Sequence, residues 1–225
     1  MTLTDDLASV PLFQSLTPEQ LAQVASISTR RRFPSGEGIV RQSDPARFVF
    51  VVLSGRVKMH KISFEGREQT LYIFGPGDPF CLRSAFQGEP FPADVSALDE
   101  SEILLIRGDE LKNMARQDPD LMFNMLMVLS SRLNESMRMV EDLSLKGVPQ
   151  RLASFLLHSA ALKCAGNESE IFELCITHRE LAKILGTTPA TLSRVITKLN
   201  EDGIIRSQGR TIAIIDRQAL VRLSE

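Results

Sequence analysis

The 225-residue sequence predicts an α+β chain: an N-terminal antiparallel β jelly roll, one long helix, and a C-terminal winged helix-turn-helix. Three observations predict it. Between Phe33 and Arg107, short apolar runs (FVFVVL, VKMHKI, TLYIF, EILLI) are punctuated by glycine and proline about every ten residues, the texture of an antiparallel barrel or roll. After Pro119, apolar residues recur at alternating steps of four and three through three heptads. Near the C-terminus, in LAKILGTTPATLSRVITKLNEDGII, two helical patterns are separated by two or three residues and followed by a hairpin signal.

The segment before the roll, SLTPEQLAQVASIS, reads as a helix. Thr17 is its N-cap, Pro18 its first-turn proline and Glu19 its early negative charge. At 43% hydrophobic and 24% charged residues, the composition is that of a globular chain long enough for two modest domains. Asp5, Asp6 and Glu19 precede the first arginine without a long apolar run, so no secretory signal is expected. No segment reaches membrane-spanning length, and a cytoplasmic location with no membrane partner is expected. Cys81, Cys164 and Cys175 form neither a CxxC pair nor a metal-ligand spacing, which suits a reducing compartment. The chain shows no Ser/His/Asp spacing, P-loop, HExxH or dinucleotide fingerprint, so it is not expected to be an enzyme.

In the long helix the repeating residues are Met122, Leu126, Leu129, Leu133, Ser136, Val140 and Leu143, a seven-residue period that makes a coiled-coil seam and implies a homodimer. Leu121, Met125, Val128 and Met139 form a second apolar side, suited to the roll. Gly147 and Pro149 then break the pattern and mark a hinge. The expected boundaries are 1–117 for an effector-sensing roll, 118–146 for a dimerisation helix, and 147–225 for the winged helix.

Charge is unevenly spread. Residues 146–225 hold 11 lysines and arginines against 8 acids, on a chain whose net charge is −2. A basic C-terminal piece on an acidic body points to a polyanionic partner for that piece. It reads as a helix (QRLASFLLHSAALKC), a short strand (IFELCI), two helices and a hairpin around Gln208-Gly209. Thr177 and Glu180 form a capping box at the first of the paired helices, which ends at Gly186. Thr188 caps the second, Pro189 lies in its first turn, and it stops at Gly203.

At 100° per residue the second helix separates cleanly into faces. Leu192, Val195, Ile196 and Leu199 form a core stripe. Ala190, Thr191, Ser193, Arg194, Thr197 and Lys198 take the other side with only small and cationic groups. Such a surface fits a DNA major groove: small residues permit close approach, arginine forks onto a guanine edge, and hydroxyls and lysine reach phosphates. Thr177, Arg179, Thr188, Pro189 and Arg210 complete the expected DNA-facing set. A two-fold dimer would read two half-sites of a palindromic operator about one DNA turn apart.

Roll, long helix and winged helix in that order resemble the CRP/FNR superfamily of bacterial transcription regulators. The likeness covers nearly the whole chain and is carried by LSGRVKMHK, GPGDPF, the seam and ITHRELAKILGTTPATLSRVITKLNEDGIIRSQGRTIAI. It implies a cyclic-nucleotide-binding-like roll, an allosteric effector, and RNA polymerase as a partner if the protein activates. It puts Thr188, Pro189, Thr191, Ser193 and Arg194 in the recognition region. Many members carry a glutamate where this chain has Ala190, so the half-site is expected to differ from theirs.

The resemblance also implies an effector pocket, expected here around Phe80, Cys81, Leu82, Phe86, Phe91, Ser136 and Met137. Cyclic AMP binders would show Gly-Glu and Arg-Ser where this chain has Phe80-Cys81-Leu82 and Phe91-Pro92, and a buried phosphate without a cation is costly. Cyclic AMP is therefore not the expected effector. No cysteine precedes Cys81, so no iron–sulfur cluster of the oxygen-sensing branch is expected. The texture of the pocket, with DLSLKG and PATLSR, is most similar to the branch responding to nitrogen oxides, whose members are proposed to hold haem and sense nitric oxide. Haem needs an axial ligand, and Cys81, the long-helix methionines and three histidines are the options; His60, alternating with Arg56 and Lys58, is expected to point outward. The identity of any cofactor or metal is left open. A competing reading makes the roll a sensor acting on a protein partner, which leaves the Arg194 face without a use.

Overall fold

A computed structural model describes residues 2–45, 47–163 and 170–225, so Cys164 and the end of the helix expected over 150–164 lie outside the described residues. The chain opens with α1 (Leu3–Ala8), a 3-10 turn (Pro11–Phe13) and α2 (Pro18–Ser26). The strands β1 (Ser28–Phe33), β2 (Gly38–Val40), β3 (Phe48–Ser54), β4 (Val57–Ile62), β5 (Glu68–Phe74) and β6 (Pro79–Phe80) follow. After α3 (Leu82–Gln87) come β7 (Asp94–Ala97), β8 (Ser101–Arg107), α4 (Gly108–Gln117) and the long α5 (Pro119–Leu145). The remainder is α6 (Val148–Lys163), β9 (Ile171–Glu173), α7 (His178–Ile184), α8 (Pro189–Glu201), β10 (Ile205–Gln208), β11 (Thr211–Ile214) and α9 (Arg217–Ser224). Two compact units, Met1–Leu133 and Asn134–Glu225, meet inside α5.

In the first unit, two antiparallel sheets run β1-β8-β3-β6 and β2-β7-β4-β5, so successive strands alternate between sheets as in a jelly roll, except for the β4–β5 hairpin within the second sheet. Side-chain alternation along β3 and β8 explains their unbroken apolar runs. Phe50, Val52 and Ile103 join Phe33, Phe74, Phe80 and Val95 between the sheets. Val49, Val51, Leu104 and Ile106 face the other way, against Leu7, Phe13, Val24, Leu111, Leu121 and Met125 of the surrounding helices. A strand covered on both faces has no polar side to show.

His60 shares one face of β4 with Lys58, as its alternation predicts, while Val57 and Met59 take the other face toward the core between the sheets; what the sequence does not show is that this outer face is covered. Lys58 and His60 are buried, at 9% and 8% exposure. Lys58 pairs with Glu68 across the strands, and a slip in the β4–β5 register between Met59 and His60 sets Thr70 opposite His60. His60 Nδ1 and Thr70 Oγ1 find no protein partner there.

Local signals explain the helices. Thr17 Oγ1 accepts from Gln20 N, and Gln20 Oε1 accepts from Thr17 N at 2.8 Å, a reciprocal cap on α2. Asp118 Oδ1 accepts from Asp120 N at 3.0 Å and Leu121 N at 2.9 Å, fixing the start of α5. Leu121 and Met125 are buried on the roll side of α5, and Asn124 Nδ2 donates to Leu12 O and Ser15 Oγ. The break at Gly147 is a tied corner: Lys146 Nζ pairs with Asp142 at 3.0 Å and donates to Ser154 Oγ at 3.0 Å. In the second unit, α6, α7, α8 and the β10-β11-β9 sheet bury Leu156, Leu181, Leu192, Ile196, Ile205 and Ile212. Among the described residues no helix is long and apolar enough to cross a membrane.

Candidate nucleic-acid interface

The helix pair expected from the sequence is built by its caps. Thr177 Oγ1 accepts from Glu180 N at 3.2 Å, while the Glu180 carboxylate pairs with Lys183 Nζ at 2.8 Å. Gly186 takes φ +62, a left-handed conformation that costs a β-carbon-bearing residue, and Thr187 N bonds back to Ala182 O. Thr188 then caps α8, accepting from Thr191 N at 3.2 Å. Gly203, at φ +68, ends α8 and turns the chain into the β10–β11 hairpin. Asn200 Oδ1 accepts from Ser207 N at 2.8 Å, which ties the hairpin to α8.

Burial divides α8 along the line the sequence draws. Leu192, Ile196 and Leu199 are buried, whereas Thr188, Pro189, Ala190, Ser193, Arg194, Thr197 and Lys198 are exposed. Thr191 is half-buried, with its hydroxyl 3.0 Å from that of Thr188, so part of its hydrogen-bonding capacity is spent on the cap. Among the described residues neither Arg194 nor Lys198 has an acidic partner, and no carboxylate lies on the face between Pro189 and Lys198. Thr177 and Arg179 are exposed at the start of α7. Arg210, beside the hairpin turn, pairs with Glu173 at 2.9 Å with both side chains more than half exposed. The arrangement is a shallow, cationic, small-residue surface held from behind by apolar packing.

The residues expected to line an effector pocket separate into groups. Phe80, Cys81 and Phe91 lie in the core between the sheets, where Phe80 stacks between Phe50 at 4.9 Å and Phe74 at 5.0 Å. Leu82 and Phe86 belong to the core on the other face of the β3 sheet. Cys81 causes the separation: at φ 64 it turns the chain out of β6 and into α3, so residues on either side point into different cores. Burial pushes the Cys81 thiol far above its ordinary range. Ser136 and Met137 lie on α5 beyond Leu133, and both are exposed.

Sequence reasoning missed the clamp of Arg132. Its guanidinium lies 3.8 Å from the Tyr72 ring centroid, 5.1 Å from that of Phe74, and pairs with Asp78 at 2.7 Å. The available signal was spacing, since Arg132 stands seven residues after buried Met125. Of the seam residues, Met122, Leu126, Leu129, Leu133 and Val140 are 46–64% exposed on the single chain. Ser136 is exposed and Leu143 half-buried.

Comparison with known proteins agrees with the fold and the helix pair. A cyclic nucleotide-binding domain family matches residues 30–118, and a Crp-like helix-turn-helix domain family matches residues 150–223. The transcriptional activator protein anr of Pseudomonas aeruginosa is 30% identical over 220 residues, covering 97% of this chain and 90% of that protein. The cyclic AMP receptor protein of Thermus thermophilus is 29% identical over 214 residues, covering 95% and 96% respectively. The structure of a CooA mutant from Carboxydothermus hydrogenoformans superposes with a TM-score of 0.78 at 28% identity, over 90% of each chain. With a nucleotide-binding-type roll, a long helix and a Crp-like helix-turn-helix in one chain, this protein belongs to the CRP/FNR superfamily of DNA-binding transcription regulators.

Proposed function

We propose that the chain works as a homodimer that reads a two-fold symmetric operator in duplex DNA and changes affinity when a small effector binds the roll. One observation carries the DNA reading: α8 packs one face into the fold and offers Arg194 and Lys198, free of acidic partners among the described residues, on the other. Cations that neutralise phosphates supply affinity and one bidentate arginine supplies base choice.

The stripe from Met122 to Val140 supports the homodimer. A soluble monomer rarely leaves a continuous run of methionine, leucine and valine uncovered, and a second α5 at the same heptad period covers it. Two copies then set two α8 helices about one DNA turn apart, matching a palindrome. If the regulator activates, RNA polymerase is the further partner; anr, at 30% identity, is an activator by name.

The effector differs from cyclic AMP in this reading. Phe80, Cys81, Leu82 and Phe91 are buried and apolar, and the adjacent Arg83 is exposed and paired with Glu89, so these residues offer no cation to a phosphate. Haem would have to displace Phe80 and take its axial ligand from somewhere other than Cys81 or His158, which leaves the buried His60 and the methionines of α5. Phe80 fills the space between Phe50 and Phe74, Cys81 is held as the neutral thiol rather than the thiolate that binds iron, and His158 is exposed. An uncharged or weakly polar effector suits the phenylalanine-rich interior, with its binding transmitted through α5.

Selection of bound duplexes from a randomised library tests the proposal. Enrichment of an inverted repeat supports it; enrichment of nothing above the starting pool refutes the DNA reading.

A further inference from the structure

The exposed face of α8 is chemically lopsided. At 100° per residue, Ala190, Ser193, Arg194 and Thr197 run along its middle at i, i+3, i+4 and i+7, with Pro189 at the N-terminal edge. Pro189 and Ala190 are both exposed, adjacent and apolar, and the first turn of the helix holds no acidic residue. Arg194 is the only guanidinium on this face and Lys198 its only ammonium.

Each base offers a different partner to such a face. Guanine presents two acceptors, which suit Arg194. Cytosine presents an amino donor, selected by a carboxylate, and no carboxylate lies between Pro189 and Lys198. Thymine presents a methyl group, which matches an exposed alanine methyl and proline ring. The hydroxyls of Ser193 and Thr197 accept either polarity and discriminate little.

Resting on the DNA-binding reading of α8, we infer that Pro189 and Ala190 are specificity-determining residues that read the 5-methyl group of thymine. Four residues separate Ala190 from Arg194, roughly 6 Å along the helix axis. At about 3.4 Å per base step, the contacted thymine lies within roughly two base pairs of the guanine that Arg194 reads. The recognition is by shape and burial, so it depends on the methyl group and not on the hydrogen-bonding edge of the base.

This dependence gives the test. Full-length protein first selects its preferred duplex from a randomised library. Thymines of that duplex are then replaced singly by deoxyuridine, which removes the methyl group and leaves base pairing intact. Replacing one thymine in each half-site should weaken binding by about four-fold per buried methyl, and at the same position a 5-methylcytosine–guanine pair should bind more tightly than an unmethylated cytosine–guanine pair. Ala190→Gly, which leaves only the Pro189 ring against the methyl, should narrow the difference between the thymine and deoxyuridine duplexes. Ala190→Glu should shift selection at that position toward cytosine. Equal affinity of the unsubstituted protein for thymine and fully deoxyuridine duplexes would overturn the methyl reading while leaving DNA binding intact. Failure to select any duplex would defeat both.

Discussion

Arg132 on α5 covers Tyr72 on β5, guanidinium to ring centroid 3.8 Å, and its Asp78 partner stands in the turn before β6. The contact fastens α5 to the roll edge where the Phe74–Phe80–Phe50 stack begins. A partly desolvated cation over an aromatic ring contributes about 1–2 kcal/mol. Arg132→Met keeps the stem and removes the charge, so it should lower unfolding stability by about that amount in urea titration. An unchanged midpoint at constant slope would show that the clamp contributes only packing.

Cys81 should make stability fall at alkaline pH. Its folded pKa is raised by burial above the ordinary 9.0, so the native thiol keeps a proton that the unfolded chain gives up. This stabilising proton is fully held below about pH 9, and its contribution is lost as pH rises above that value. Each further pH unit should cost up to about 1.4 kcal/mol. Comparison of urea midpoints at pH 8 and pH 10 for the natural chain and Cys81→Ala should show a steeper loss in the former. Identical slopes would mean that the thiol ionises freely in the folded state.

Leu133→Glu introduces a charge at an exposed seam position on each copy, 62% exposed on the single chain. It should convert dimers to folded monomers in sedimentation velocity, with the circular dichroism spectrum preserved. Persistence of dimers at the same concentration would assign the interface elsewhere.

Cyclic AMP should give no saturable heat in calorimetry at micromolar protein. The interior positions Phe80, Leu82 and Phe91 offer no cation to its phosphate. A micromolar dissociation constant would require a cation elsewhere to reach the roll.

The helix pair was legible in the sequence because caps, glycines and faces there are local. Thr177, Gly186, Thr188 and Gly203 each act within four residues, and the α8 pattern needs no distant partner. The same holds for the period of α5. Elements set by distant contacts were not legible. β1 carries Arg30, Arg31 and Arg32 in succession, which discourages a strand assignment until Asp6, Glu37 and Glu102 arrive to pair with them. α1 and α9 are short helices held by Thr2 and Asp216 caps, below the length at which periodicity speaks. His60 and Lys58 are buried on the face of β4 that alternation marks as outward, because alternation gives the side a residue takes and not what covers it. The pocket set was the least legible part. Phe80 and Leu82 are two residues apart, yet the left-handed turn at Cys81 sends them to different cores.

In the proposed complex two α8 helices, related by the α5 seam, enter successive major grooves of one operator with Arg194 on the bases. Hydroxyl-radical footprinting of the selected duplex, with the natural chain and Arg194→Ala side by side, tests it most directly. Two symmetric protected segments about one DNA turn apart are expected, with a loss of about 1–3 kcal/mol of specific binding in the variant. A single unsymmetric footprint, or a variant with unchanged affinity and sequence preference, would contradict it.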